Sequence, residues 1–121
     1  MSYDPLSEVS DAPLEIDEST VIKLHILKMV EKFGSLPGEN TAEEKDRLST
    51  VLNDLLGRLI NGIQANPTKL WVLTEFQRSL VLVESEDTEG RDHFGTELES
   101  ILDVLGIESS DGLLGAYLGG I

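Results

Sequence analysis

Residues 41–63 read TAEEKDRLSTVLNDLLGRLINGI. Leu48, Val51, Leu52, Leu55, Leu56, Leu59, Ile60 and Ile63 recur in this stretch at alternating short and longer intervals. That spacing stacks apolar side chains on one face of an α-helix and on no single face of a strand. Thr41 and Glu44 fit a capping box, in which the hydroxyl takes an orphan amide of the first turn while the carboxylate reaches back. A helix over 41–65 is therefore expected, and an apolar face this long must be covered by other elements. Gly57 and Gly62 each cost about 1 kcal/mol relative to alanine in a helix interior. A close helix crossing at Gly57, or a fraying end near Gly62, would account for them.

Working outward, Asp17 or Ser19 can cap a preceding helix over 19–33. Its inner stripe is expected to be Ile22, Ile26, Met29, Val30 and Phe33. Val21, Leu24 and Leu27 lie off that sector, so contact from two sides is expected. Gly34 stops this helix, and Ser35, Leu36, Pro37 and Gly38 make the turn. On the other side, Asn66 and Pro67 suit the cap and first position of a helix over 67–84. Leu73, Phe76, Leu80 and Val83 form its stripe, widened by Trp71, Val72, Val81 and Leu82. A further helix opens with Glu86, Asp87 and Glu89 in the dipole-favoured first turn. It carries Phe94, Leu98, Ile101, Leu102 and Leu105 inward and stops at Gly106. Ser109, Ser110 and Asp111 then cap a short last helix containing Leu113, Leu114, Tyr117 and Leu118, with Gly119 and Gly120 ending it. Residues 1–18 show no sustained period. They read as an acidic, partly flexible N-terminal arm that Leu14 and Ile16 could anchor, with a turn of helix after Asp4 and Pro5. The expected fold is all-α: an antiparallel up-down bundle of four main helices plus a short C-terminal cap helix, with 19–121 as one helical domain.

The chain has 121 residues and a formal charge of −14. A single domain of this size hides roughly 60–70% of the surface that its unfolded form exposes. With no cysteine, disulfide frameworks, thiolate catalysis and Cys-ligated metal sites are excluded. The negative charge argues against direct nucleic-acid binding. No stretch approaches the roughly 20 apolar residues of a membrane span, and Met-Ser-Tyr-Asp-Pro-Leu does not resemble a secretory leader. A cytoplasmic protein is the expectation.

Catalytic chemistry finds little purchase. The two histidines are His25, which lies among Lys23, Lys28 and Lys32, and His93. No serine occupies a nucleophile elbow and no glycine loop cradles phosphate. Acids are so abundant that any carboxylate pair is uninformative. Glu89, His93 and Glu97 recur at one-turn intervals and could in principle hold a divalent ion, but a solvated acidic helix produces such triples by chance. No catalytic residue, metal ligand or cofactor is expected. Trp71 and Phe76 read as core aromatics rather than a pocket lining.

The charge is uneven. Residues 1–18 hold six acids and no base, 19–83 seven acids and eight bases, and 84–121 ten acids with Arg91 alone. Glu84, Glu86, Asp87, Glu89, Asp92 and Glu97 crowd one loop and the following half-helix. Like charges so close together repel, and a use that offsets this cost is the steering of a basic partner. In size, helix content and charge the chain resembles small all-helical bacterial immunity proteins, which neutralise a toxin from a competing cell. The run Leu105-Gly106-Ile107-Glu108-Ser109-Ser110-Asp111-Gly112-Leu113-Leu114 is also similar to the end of a group of small uncharacterised bacterial domains, which implies no activity. The first resemblance implies an inhibitor that occludes a basic site on a partner protein, such as a toxin. The short aromatic-rich recognition segment of nuclease-colicin immunity proteins is absent, so no contact residue carries over. The alternative is an oligomeric structural or regulatory module, such as a homodimer, in which the broad apolar arcs of 19–33 and 67–84 find cover.

Overall fold

The computed structural model describes residues 4–30 and 42–119. A 3-10 turn, Pro5–Glu8, precedes five α-helices: α1 (Glu18–Met29), α2 (Ala42–Gly62), α3 (Lys69–Val83), α4 (Thr88–Leu105) and α5 (Leu113–Leu118). The protein is an all-α bundle. Helix α1 ends at Met29 with Val30 extended as its C-cap, short of the expected end at 33 and stop at Gly34, while the turn over 35–38, the inward Phe33, the Thr41 cap and Gly120 lie outside the described residues.

The long amphipathic stripes bury as their spacing dictates. Leu48, Leu52, Leu55, Leu56 and Leu59 of α2 meet Leu73, Phe76, Leu80 and Val83 of α3 and Phe94, Leu98 and Ile101 of α4 in one continuous core. Helix α2 packs on α1, α3 and α4, and α1 also packs on α4. Helices α3 and α4 are neighbours in sequence yet meet chiefly through α5, which packs against both. The short last helix thus fills a gap in the wall of the bundle, with Leu113, Leu114 and Leu118 buried.

Local chemistry sets the ends. Asp17, the N-cap of α1, accepts from the Thr20 amide at 2.9 Å. Helix α3 begins two residues later than Asn66 and Pro67 imply, because Thr68 takes the capping role and accepts from the Trp71 amide at 3.3 Å. At the end of α4, Gly106 sits at φ 74° and Ile107 donates back to the Leu102 carbonyl at 2.9 Å. This closes a Schellman turn, with Ile107 buried as its apolar seal. Glycine tightness falls at Gly62 rather than Gly57. A Cβ at 62 would lie 2.5 Å from the Trp71 ring, whereas one at 57 would meet only the end of the Lys28 chain at 3.9 Å.

Helix α1 departs from its expected orientation. Leu24 is fully buried and Thr20 nearly so, while Val21 and Leu27 are half-buried against the core. Ile22 and Ile26 are 53% exposed, Met29 is 85% exposed, and Val30 is exposed beside them. The stripe expected to face inward faces outward. Both arcs of this helix are apolar, so periodicity alone does not choose between them. Contact with α2 and α4 selects the Leu24 arc.

Inside the bundle, Arg58 of α2 ties to α3 through three bonds. Its Nε donates to Glu75 Oε1 at 2.7 Å, and its Nη2 donates to the Glu75 carbonyl at 3.1 Å and to Ser79 Oγ at 2.9 Å. Arg78 adds a second cation on Glu75 Oε1 at 3.0 Å. A carboxylate this buried is tolerated because its charge is answered on two sides.

Candidate interaction surface

The six clustered acids divide into two kinds. Glu86 receives Arg47 of α2 in a fork, Nε to Oε1 at 2.9 Å and Nη2 to Oε2 at 3.1 Å. Its side chain is 15% exposed against 56% for Arg47. That bond and the attraction behind it hold the guanidinium more firmly protonated than usual. Asp87 is the N-cap of α4 and accepts from the Gly90 amide at 2.7 Å. These two acids are committed to joining and capping helices. Glu84 and Asp92 are exposed, and Glu89 and Glu97 are half-buried. Among the described residues no basic side chain pairs with any of these four. Arg91, between them in sequence, forms no salt bridge there, and its buried Nε has no acceptor among the described residues.

Beside this acidic end runs a groove of about 420 Å³ between α2 and the end of α3. Val51, Leu82 and Val83 give it an apolar lining, and Asp46, Arg47 and Glu86 are its charged residues. Leu82 is 63% exposed, and Val81 is exposed next to it. Sequence reading placed both on a widened arc without finding the groove. The available signal was the surplus of apolar positions on α3 beyond what one buried stripe uses.

A second recess, about 410 Å³, lies where α4 turns into α5. Glu99, Asp103 and Glu108 line it with Leu102, Ile107 and Leu114. It gathers acids with no base among them. Among the described residues no three His, Asp or Glu side chains come close enough to hold a metal ion, so Glu89, His93 and Glu97 do not form such a group. Among those residues, too, no helix is long and apolar enough to cross a membrane.

The far end of α3 is organised differently. Its first amides are satisfied by the N-terminal arm: Lys69 N–H donates to the Ala12 carbonyl at 2.8 Å and Leu70 N–H to Asp11 Oδ1 at 2.9 Å. The Leu14 amide returns a bond to the Pro67 carbonyl at 2.7 Å. Asp111, before α5, accepts from Lys69 Nζ at 2.8 Å and from the Ser10 amide at 2.9 Å. Lys69 first, and the Ser10 amide second, hold its carboxyl below the ordinary value of 3.8. Asp111 was read from sequence only as a cap of the last helix and Asp11 only as one acid of the arm; their bonds to Lys69, Ser10 and Leu70 were not, because each partner is remote along the chain and leaves no local pattern.

The family model described as "Domain of unknown function (DUF4844)" matches residues 15–121. Among solved structures, the chain is similar to a DUF3571 family protein from Acinetobacter baumannii AYE. The two share 26% identity and a TM-score of 0.71 over 83% of this chain and 88% of that one. No curated protein matches.

Proposed function

We infer that this chain, which belongs to the DUF4844 family, is a non-catalytic protein-binding module whose contact surface is the α2/α3 groove and the acids beside it. One observation carries the reading. Leu82 stands 63% exposed on an apolar groove, and Glu84, two residues on, has no basic partner among the described residues. An exposed apolar depression with a charged rim fits one anchoring side chain of a partner. The acids Glu84, Glu89, Asp92 and Glu97, which have no basic partner among the described residues, favour a partner whose anchor is flanked by Lys or Arg, and they speed its approach. Glu86 and Asp87 contribute by fixing the loop rather than by contact. The resemblance to immunity proteins makes an inhibitor of a basic-sited protein, such as a toxin, the specific form of this reading.

The test is capture from the native host at graded salt, with wild type, Leu82→Asp and a Glu84→Lys/Asp92→Lys double variant. The reading expects a partner held by wild type and at least ten-fold less by Leu82→Asp. The double variant should lose affinity most at low salt. Equal retention by all three proteins would sink it. A second reading, self-association, is favoured by the outward Ile22, Ile26 and Met29 of α1. It expects a dimer in light scattering that Ile26→Asp dissociates, and a monomer at all concentrations would remove it.

A further inference from the structure

The N-terminal arm makes the bonds of a bound peptide rather than of a core element. Its 3-10 turn packs on α3 and α5. Leu14 and Lys69 exchange bonds with the opposing backbones around an antiparallel bridge between Pro13 and Thr68. Asp11 caps α3 from outside the helix at 2.9 Å, and the Asp4 carboxylate accepts from Gln77 Nε2 at 3.0 Å, which also donates to Tyr117 Oη at 3.0 Å. Leu6, Val9 and Leu14 rest half-buried on the surface of the core, and none of the described arm residues is part of it. The family model begins at residue 15, so the groove lies inside the matched region and the segment covering it almost wholly outside.

We propose that the α3/α5 groove is an exchangeable docking site for an extended acidic arm, filled in cis by residues 4–14 and able to take the same segment from a second copy of the chain. The occupant is specified by what is seated there. Backbone bonds set its extended course, two carboxylates key into Gln77 and the first turn of α3, and Lys69 with Asp111 fastens its middle at Ser10. Backbone pairing with pockets for alternate side chains is a recurring mode of peptide recognition. The described arm residues are themselves at most half-buried, so on this proposal the bundle stands when they leave and the amides they expose are satisfied by water. The cis arm has the advantage of a high effective concentration. Exchange between copies therefore needs either a concentrated solution or a weakened cis arm. The site is separate from the acidic groove proposed above, and neither reading depends on the other.

The experiment uses the full chain and a fluorescent peptide of residues 1–16. Leu6→Asp/Val9→Asp, made in the full chain, weakens the cis arm and leaves the groove unaltered. Anisotropy should show saturable peptide binding to this variant at least ten-fold tighter than to wild type. Adding Lys69→Glu should abolish that gain. Mixing the arm-weakened chain with a Lys69→Glu chain, whose arm is intact, should give a 1:1 pair in light scattering that neither forms alone. Loss of helical circular dichroism in the arm-weakened chain would overturn the proposal, because the arm would then belong to the core. Peptide binding no better than wild type, binding indifferent to Lys69→Glu, or a mixture that stays monomeric would each overturn it as well.

Discussion

The two ends of α3 are both rich in acids, yet they use them in opposite ways. At the start of the helix, Asp11 and Asp111 each accept bonds from groups distant in sequence, and Asp111 carries a lysine. Past its end, Glu86 and Asp87 are similarly engaged, but Glu84, Glu89, Asp92 and Glu97 have no cation among the described residues. The lesson is that acid density does not distinguish structural from available charge. What distinguishes them is whether a donor is brought within hydrogen-bond reach by the fold.

The middle of α3 sets the upper bound for that comparison. Glu75→Ala takes the carboxylate from Arg58 Nε and Arg78 Nη1, leaving Arg58 only the Ser79 Oγ and the residue-75 carbonyl, and it should lower stability by about 3 kcal/mol in urea unfolding. A loss near zero would mean that water replaces the carboxylate, and that the buried pair is held no better than a surface one. Next in size, Asp87→Ala removes the α4 cap and should cost about 1 kcal/mol. Asp87→Asn should restore most of it, because an amide oxygen also accepts from the Gly90 amide.

Acid titration separates the two ends without a substitution at the acidic groove. Asp111 is held below its ordinary value in the folded protein. Its contribution is therefore complete above the ordinary carboxylate range and is lost as pH falls below 3.8, through its lowered folded value. Asp17 follows the same sign: the Ser19 hydroxyl first, then the Thr20 amide, lower it to about 2, so its support of α1 is lost as pH falls from 3.8 through about 2. Amide exchange at Ser10 should accelerate in that window while exchange in α2 stays slow. Asp111→Asn should remove the pH dependence at Ser10. The smallest effect is expected from Glu84→Ala and Asp92→Ala, each within about 0.5 kcal/mol of wild type. A gain in stability on neutralising both would be the signature of unrelieved repulsion.

How far the sequence carried depended on the range of the signal. The stripes of α2 and α4 were legible because a one-sided 3.6-residue period admits a single inward face. Gly106 was legible as a stop because its left-handed φ of 74° is cheap only for glycine. Helix α1 was legible as a helix but not in rotation: Ile22, Ile26 and Met29 make as good a stripe as Leu24 with Val21 and Leu27. The candidate acids were legible as a cluster, but not which of them were engaged. Arg47 reaches Glu86 across 39 positions, and Ser10 reaches Asp111 across 101. Pairings of that range carry no periodic trace and depend on the finished fold.

The contact of Trp71 with Gly62 has a reach beyond packing. The indole of the only tryptophan lies against the last residue of α2, where a built Cβ would come within 2.5 Å of it. Two residues before it, Lys69 moors both Ala12 and Asp111. Any side chain larger than hydrogen at 62 would act as a wedge that levers the root of α3 and its moorings away from α2. Ultraviolet emission from this one ring is accordingly a built-in strain gauge for the joint.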